Sequence, residues 1–534
     1  MEKRLIVAIA LSIFIIISFQ YFVVKPTLKT TATEVTTTQG PAPTVARESK
    51  PPEIAQPKIS FEEKESAFET DKYILVISNV GGAIKEIRLK DYDDLRSKEP
   101  FVLVRIKNPN DYIFAVSDPL ARTLPAALEY EIRQKDNAVI CSARTGDLEI
   151  TKKYILRNSK QYIELQLLIK NISGFVKNLN YRVIGGAGVS ETADQDKRLI
   201  EVTSKINGKP VGFKRLRKLE RIFNPGVVGW TDLKSKYFSV ILKPSALTKG
   251  QFYSEDSDGN LVMGVETEDA TIQPGSSIEN KYILYAGPSS IPVLKAQGYD
   301  FEETVNYGFF GGIAKAIIVV LKFFYALFHN WGISIILLAI FLNIILFPLT
   351  MKSFRSMQKM QELHPQMEKL KVQYKADPKK LNKEIMELYK KYNINPMSGC
   401  LPMLLQMPIF VALYQALMKS IELRNARFLW IRDLSSPEAV PLPISFPIIG
   451  STINILPLIM IAAMVLQQKV STKSMGSAVT EEQKQQQKMM LIMMPVIFGF
   501  IFYNMPSGLV LYWVVNTLLT IIEQRATLRN AEVS

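Results

Sequence analysis

Short alternating segments and long apolar runs divide the chain into two regions. Between residues 58 and 300, β-branched and aromatic residues form short segments broken by Gly, Asn and Asp, as in "KYILVISNVGGAIKEIRL" and "QYIELQLLIKNIS". This pattern is typical of strands joined by turns, and it predicts a mostly antiparallel β-sandwich. After residue 305, several apolar runs are long enough to cross a bilayer as helices. The sequence therefore predicts a β-rich, water-exposed domain followed by a helical membrane region.

Residues 1–25 form a further apolar run. Lys3 and Arg4 precede about 20 largely apolar residues, which as a helix span roughly 30 Å, the thickness of the hydrocarbon layer. The apolar core of a cleaved signal peptide is shorter, about 7–15 residues, so an uncleaved transmembrane anchor is favoured over a signal peptide. The two basic residues keep its start in the cytoplasm, and the chain beyond the anchor is exported. Residues 26–57 are rich in Thr and Pro and lack an apolar period, which predicts a disordered linker.

The helical region contains five candidate spans, which with the anchor make six and place both termini in the cytoplasm. They are residues 331–351, 400–422, 448–468, 489–504 and 507–525. Residues 301–330 are also long enough, but Lys315 and Lys322 lie on one face of this otherwise apolar helix. We therefore expect an interfacial amphipathic helix here. If this segment crossed the membrane, the lysine-rich loop after residue 351 would lie outside, against the positive-inside rule.

A basic segment separates the first two of these spans. Between Lys352 and Pro396, eleven Lys or Arg residues stand against five Asp or Glu, in a chain of net charge +15. Apolar residues recur there at spacings of three and four, and Asp377 can cap a second helix, so residues 353–397 are predicted to form a helical hairpin with a kink at Pro365. The charge excess is typical of a cytoplasmic loop and argues against DNA as the partner. The alternative is that these basic residues bind anionic lipid or ribosomal RNA. The candidate contact residues are Lys369, Lys371, Lys379 and Lys380.

Residues suited to catalysis or metal binding are sparse. The only histidines, His329 and His364, lie outside residues 58–300, which excludes a histidine base or ligand set in the β-rich domain. The two cysteines, Cys141 and Cys400, lack metal-ligand neighbours and are expected on opposite sides of the bilayer. Carboxylate pairs remain as an alternative in the β-rich domain, but no recognisable motif surrounds any of them. The sequence therefore predicts no catalytic residue, no metal site and no cofactor.

Amide side chains interrupt the apolar spans. Asn343 and Gln406 lie roughly 12 Å and 9 Å from the cytoplasmic ends of their spans, and Asn516 lies nearer the middle of the last span. If these side chains face one another, they form a polar patch that can be reached from the cytoplasm. Alternatively each amide only hydrogen-bonds a neighbouring helix, which typically contributes about 0.6–2 kcal/mol. The residues alone do not decide between the two readings.

Methionine is concentrated in the same region. Seventeen of the nineteen methionines lie between Met351 and Met505. Flexible thioether side chains suit a surface that accepts many apolar sequences, and ordinary helix packing explains them equally well. The candidates for an apolar surface along which another helix slides are Met403, Met407, Met490 and Met494.

Three motifs carry a resemblance to a known family. "NWGISIILLAIFLNIILFPLT", "GCLPMLLQMPIF" and "PSGLVLYW" occur in the order and spacing of the membrane core of the YidC family of bacterial insertases, and the match runs from about residue 301 to residue 530. The five-span core occupies residues 331–530. The preceding region, with "GWTDLKSKYFSVILKP", resembles the long Gram-negative form of the family, whose periplasmic domain is a β-supersandwich related in fold to sugar-mutarotating enzymes but without their activity.

The resemblance implies a function and its partners. It implies a non-enzymatic insertase and chaperone of the bacterial inner membrane, which acts on nascent membrane proteins alone or beside the Sec translocon. The membrane protein being inserted, here called the passenger, would use a hydrophilic groove. This groove is open to the cytoplasm and the lipid and closed to the periplasm. Contact with the ribosome through the basic hairpin and contact with membrane lipids are further expectations.

The resemblance also implies site residues. Gln406 and Tyr512 match groove-lining positions of the family, whereas Asn343 stands where most members carry an arginine, the only positive charge of the groove. Ala339 and Trp513 also fall where polar groups are common, so this groove is predicted to be less polar than that of its relatives. The predicted groove lining is Asn343, Gln406, Tyr512, Trp513 and Asn516.

Two functions of other classes compete with this interpretation. A solute transporter or channel commonly shows related halves with broken helices or buried charge pairs, and the sequence shows neither. A membrane-anchored periplasmic sugar-binding protein leaves the five later spans without a purpose.

Overall fold

The computed structural model describes residues 61–533 except 94–98, 120–122, 159, 191–198, 214–221, 256–259, 376, 393, 395–400, 447–449 and 474–492. The chain divides into two compact units, the first ending at Asn306 and the second beginning at Tyr307. The predicted anchor, the predicted linker, Cys400 and the start of the span predicted at residue 489 lie outside the described residues.

The first unit is built from antiparallel strands. In chain order they are β1 (Glu65–Glu69), β2 (Tyr73–Ser78), β3 (Ala83–Asp93), β4 (Pro100–Arg105), β5 (Val116–Ser117), β6 (Glu131–Lys135), β7 (Ala138–Thr145), β8 (Leu148–Leu156), β9 (Tyr162–Asn171), β10 (Lys177–Leu179), β11 (Arg182–Gly186), β12 (Glu201–Ile206), β13 (Lys209–Phe213), β14 (Ile222–Pro225), β15 (Val228–Lys234), β16 (Phe238–Pro244), β17 (Thr248–Glu255), β18 (Leu261–Thr267), β19 (Ala270–Ile272) and β20 (Ser277–Pro288). The prediction of an antiparallel, β-rich domain is confirmed.

Three sheets account for most of these strands. A nine-stranded sheet has the order β13-β12-β15-β16-β20-β9-β8-β7-β6, a five-stranded sheet the order β14-β17-β18-β11-β5, and a four-stranded sheet the order β1-β2-β3-β4. Strands β10 and β19 form a separate pair. The five-stranded sheet packs on strands β12, β15 and β16 of the large sheet. Glycine permits this approach, since a Cβ at Gly185 would lie 2.6 Å from a methyl carbon of Leu242.

The end of the first unit packs against its large sheet. Helix α1 (Ile291–Gln297) and a 3₁₀ turn (Phe301–Thr304) follow β20. Leu294 and Phe301 are buried against Trp230 and Tyr285. This apolar cluster fixes the segment that leads into the second unit.

The second unit is mainly helical. Its helices are α2 (Gly311–Phe328), α3 (Trp331–Glu362), α4 (His364–Gln373), α5 (Pro378–Lys391), α6 (Leu401–Lys419), α7 (Ile455–Lys473), α8 (Met493–Phe502) and α9 (Ser507–Val533). A short hairpin of β21 (Val440–Phe446) and β22 (Gly450–Ile453) precedes α7. Helix α9 packs against α3, α6 and α7, and α2 packs against α3 and α6.

Two described helices are long and apolar enough to cross a membrane by length and composition. They are residues 311–328 and the first part of α3, residues 331–356. Shorter apolar helices cover residues 455–471 and 493–502. The first of the two long helices lies in the segment for which we expect an interfacial position.

Two helix boundaries differ from the sequence-based expectation. Helix α3 continues past residue 351 to Glu362, so the first arm of the predicted hairpin begins as an extension of the span. The span predicted at residue 448 begins only at Ile455, because residues 450–453 pair with β21 as a strand. The Glu438 carboxylate accepts hydrogen bonds from the backbone N–H groups of Ile455 and Leu456, which fixes the start of this helix.

The basic segment forms two packed helices. Leu363, Tyr389 and Ile394 are buried in one apolar cluster, and Met360 and Met367 pack against it, partly buried. As predicted, the Asp377 side chain accepts a hydrogen bond from the Lys380 backbone N–H, 3.1 Å away, at the start of α5. Pro365 lies in the first turn of α4, directly after the break between α3 and α4.

Candidate functional site

Asn343 and Asn516 form a polar contact between α3 and α9. The Asn343 Nδ2 donates to the Asn516 Oδ1 at 2.9 Å and to the backbone carbonyl of Ala339, one turn earlier, also at 2.9 Å. Both amides are half-buried. Because an unpaired amide is costly in an apolar environment, this arrangement satisfies both N–H groups of Asn343 within the protein.

Gln406 and Tyr512 form a second polar contact, between α6 and α9. The Gln406 Nε2 donates to the Tyr512 hydroxyl at 3.1 Å, and the Tyr512 ring is fully buried. Tyr512 and Asn516 are four residues apart in α9 and therefore lie on the same helix face. One face of α9 thus carries two polar groups in succession, one bonded to α6 and the other to α3.

Trp513 lies in an aromatic cluster beside this polar face. Its ring is 5.2 Å from Phe410, 5.7 Å from Phe498 and 5.2 Å from Phe502, measured between ring centroids. Such spacings are typical of favourable aromatic packing. Ala339 is fully buried. Of the five predicted lining residues, the structure joins four in two hydrogen-bonded pairs and packs the fifth among phenylalanines of α6 and α8.

The predicted sliding surface is described in part. Met407 of α6 and Met494 of α8 expose 42% and 38% of their surface. Met490 lies outside the described residues, as does the side chain of Met403. Exposure of thioether side chains on two different helices leaves them available to an apolar partner.

The loop before β21 is organised by Asp433, a residue that the sequence analysis did not single out. Its Oδ1 accepts from the Asn425 and Ser435 backbone N–H groups at 3.1 Å and 2.8 Å and from the Ser435 hydroxyl at 2.7 Å, and its Oδ2 accepts from the Ser436 hydroxyl at 2.9 Å. The Ser507 hydroxyl at the start of α9 donates to the carbonyls of Asp433 and Ser436. The signal in the sequence is the Asp-x-Ser-Ser order, which is typical of side-chain-capped turns.

An ion pair fixes α2 to the end of α6. Lys322 Nζ lies 2.6 Å from the Glu422 carboxylate, and both side chains are partly exposed. Lys315, the other lysine of α2, is exposed. The rings of Tyr325 and Trp331 stack at 4.0 Å where α2 meets α3. The packing of α2 therefore includes one charged contact that the apolar pattern could not reveal.

The predicted basic contact residues lie on the outside of the helix pair α4–α5. Lys369, Lys379 and Lys380 are exposed, and Lys371 is half-buried. Lys380 Nζ lies 5.1 Å from the centre of the Tyr374 ring. Because the apolar side chains face each other inside the pair, this charge remains available to solvent or to an anionic partner.

The first unit buries two groups with displaced pKa values. Burial lowers the pKa of Lys152 to about 7; its Nζ donates to the Gly81 and Phe114 carbonyls, each at 2.6 Å, and lies 4.9 Å from the Tyr130 ring. Burial raises the pKa of Asp232 to about 7, and its Oδ2 accepts from the Ser239 hydroxyl at 3.1 Å. Among the described residues no group of three or more His, Cys, Asp or Glu side chains is arranged to hold a metal ion.

Comparison with known proteins assigns the chain to a family. The family described as 60Kd inner membrane protein matches residues 323–533, and the YidC periplasmic domain matches residues 65–320. The membrane protein insertase YidC of Geotalea daltonii is 32% identical over 550 residues, with 98% of each chain covered. That of Geobacter metallireducens is 33% identical over 558 residues, again with 98% of each chain covered. A crystal structure of an active YidC insertase is 20% identical, with 87% of this chain and 93% of that chain covered and a TM-score of 0.37. Since the two insertases of Geotalea and Geobacter are more than 30% identical to this chain over 98% of its length, the chain belongs to the YidC family.

Proposed function

We propose that this protein is an insertase that helps newly made membrane proteins to enter and fold in the bacterial inner membrane. The observation that carries the proposal is the pair of hydrogen bonds along one face of α9, from Asn343 to Asn516 and from Gln406 to Tyr512. Polar side chains inside apolar helices are expensive and commonly mark a path for polar groups. The curated relatives of similar length are membrane protein insertases, which supports the same activity here.

The polar groove lies between α3, α6 and α9 and works without covalent chemistry. Moving a charged residue to the centre of a bilayer costs about 2.5–3.5 kcal/mol on insertion scales. Amide and hydroxyl groups lower this cost by hydrogen bonding to the polar flank of a passenger. The passenger helix then leaves sideways into lipid, where its apolar residues are favourably placed, along a surface that includes Met407 and Met494.

This groove acts without a cation at position 343. Asparagine donates and accepts hydrogen bonds but supplies no long-range attraction to acidic segments. Passengers are therefore selected by hydrogen bonding and apolar fit. The acidic character of the passenger's flank is then less important than in relatives that carry an arginine at this position.

The proposed topology has six spans. They are the N-terminal anchor, residues 1–25, and helices α3, α6, α7, α8 and α9, so that both termini lie in the cytoplasm and the β-rich domain lies in the periplasm. The basic pair α4–α5 is then cytoplasmic, in agreement with the positive-inside rule. Helix α2 lies at the membrane interface, where Lys315 is exposed and Lys322 is neutralised by Glu422.

The cytoplasmic pair α4–α5 provides the contact with the ribosome. Its exposed lysines, Lys369, Lys379 and Lys380, can bind the phosphates of ribosomal RNA. The Sec translocon is a further partner, and the protein inserts its passengers alone or beside it.

Site-specific photo-cross-linking tests the groove. A photoreactive residue is placed at position 343 or 406 of the full chain, and ribosome-bound nascent chains of a single-span membrane protein are presented at increasing lengths. We expect adducts to the passenger that appear only over a window of chain lengths. Position 335 is the control, because Ile335 is fully buried and lies two turns before Asn343, near the start of α3. Adducts from 343 and 406 only to the protein's own helices would overturn the groove.

A further inference from the structure

A tight turn projects two apolar side chains from the loop between α6 and β21. Phe428 and Ile431 exchange two backbone hydrogen bonds of 3.0 Å and 2.8 Å, so Leu429 and Trp430 alone form the turn between them. Leu429 has a φ of 51°, which is uncommon for a branched apolar residue. Leu429 is 74% exposed and Trp430 is 43% exposed. The backbone thus holds these two side chains at the surface in a defined position.

Two arginines flank this turn on its outer face. Neighbouring side chains of an extended chain point to opposite faces, and residues opposite each other in an antiparallel bridge share a face. Ile431 is buried, and Phe428 lies against Gly332, so Arg427 and Arg432 point the other way. Both arginines are exposed. Like charges placed opposite each other repel, which favours an anion between them.

The acidic residues around the turn are already engaged. Residues 420–455 contain three of them, Glu422, Asp433 and Glu438. Glu422 pairs with Lys322, Glu438 caps α7, and both oxygens of Asp433 accept hydrogen bonds inside the loop. In the part of the chain that the structure describes, no carboxylate forms an ion pair with Arg427 or Arg432. The turn therefore presents positive charge without an internal counterion.

We propose that this turn, residues 427–432, binds the phosphate of an anionic phospholipid. Trp430 and Leu429 enter the interfacial layer of the bilayer, where tryptophan is preferred. Arg427 and Arg432 hold the headgroup phosphate, since guanidinium groups bind phosphate oxygens in a two-pronged geometry. In the proposed topology the leaflet is the outer one. The lipid site itself depends only on the chain being a membrane protein, and not on its insertase activity.

Fluorescence quenching of the reconstituted full chain tests this site. Two vesicle preparations are made from phosphatidylcholine. One contains a minority of nitroxide-labelled phosphatidylglycerol and the other a minority of nitroxide-labelled phosphatidylcholine. In both, the nitroxide lies near the headgroup end of one acyl chain. The contribution of Trp430 is the difference from a matched Trp430→Phe chain. We expect labelled phosphatidylglycerol to quench Trp430 more strongly than labelled phosphatidylcholine. Arg427→Gln with Arg432→Gln lowers this preference by about fivefold for each arginine removed.

The control removes two arginines from another surface. Arg133 and Arg144 are exposed in the first unit, so Arg133→Gln with Arg144→Gln makes the same change in net charge and leaves the preference intact. Equal quenching by the two lipids in the unaltered chain, or a preference that survives in the Arg427→Gln/Arg432→Gln chain, overturns the proposal. Failure of both lipids to quench Trp430 places the turn away from the bilayer; it also overturns the proposal and points to a protein partner. No passenger is present, so the result is independent of insertion.

Discussion

Asn343 and Asn516 are far apart in the chain, yet the amide of one donates to the amide oxygen of the other at 2.9 Å. The second N–H of Asn343 is bonded to the Ala339 carbonyl, so neither donor of this side chain is idle. A passenger that hydrogen-bonds to Asn343 must therefore displace one of these two existing bonds. The position at which the family resemblance implies an arginine is here one half of an internal pair.

This pairing predicts coupled stability effects. Asn343→Ala and Asn516→Ala each lower the free energy of unfolding by about 0.6–2 kcal/mol, the range for a hydrogen bond between membrane helices. The double variant loses little more than the larger single loss, because either change alone breaks the bond. Thermal unfolding of the four chains in one detergent measures this coupling, and additive losses would show that the two amides act independently.

The same position predicts tolerance in function. Asn343→Ala costs little insertion, and Asn343→Arg is tolerated, because the proposed groove works by several hydrogen bonds and apolar fit. Insertion of a single-span passenger into vesicles measures both, with Ile335→Val as the control, a conservative change at a fully buried position of α3 two turns before Asn343. Loss of insertion in Asn343→Ala alone would show that this amide is itself essential.

Tyr512 offers a cleaner separation of packing and polarity. Tyr512→Phe keeps the buried ring and removes the hydroxyl that accepts from Gln406. We expect a stability loss of about 0.6–2 kcal/mol and reduced insertion of passengers with polar flanks, while fully apolar passengers are unaffected. Gln406→Leu should give the same selectivity. Equal loss for both passenger classes would show that the residues support packing only.

Short-range sequence patterns were sufficient to predict some of these structural features. Asp377 caps its helix as predicted, since the cap depends on residues three positions apart. Counting residues along the spans placed Asn343 and Gln406 at a similar depth, but it could not give the rotation of each helix, and therefore not the partners Asn516 and Tyr512. The strand at residues 450–453 was missed because the start of the following helix, α7, is fixed by Glu438, which precedes β21 in the chain. The aromatic surroundings of Trp513 likewise depend on three distant residues.

The ion pair between Lys322 and Glu422 predicts rescue by charge exchange. Lys322→Glu and Glu422→Lys each place two like charges opposite each other and loosen α2, whereas the double exchange restores an ion pair. We expect each single change to cost about 1 kcal/mol, because it removes an ion pair that contributes up to about that much when partly exposed and adds a repulsion. Hydrogen exchange over residues 311–328 measures it. Lys315→Glu is the control on the same helix and should have little effect; failure of the double exchange to restore protection would contradict the pairing.

Lys152 predicts a pH dependence of the stability of the first unit. Burial lowers its pKa to about 7 in the folded chain, against an ordinary value of 10.5 in the unfolded chain. Between these pH values the unfolded state binds more protons, so the free energy of unfolding rises with pH by up to about 1.4 kcal/mol per pH unit. Below about pH 7 both states hold the proton, and Lys152 adds no slope.

Calorimetry of the full chain above pH 7 measures the effect of Lys152. Lys152→Met removes the rise, whereas Lys153→Met, which changes the exposed neighbour, keeps it. A profile of the unaltered chain as flat as that of Lys152→Met would show that the Gly81 and Phe114 carbonyls hold the lysine in its charged form.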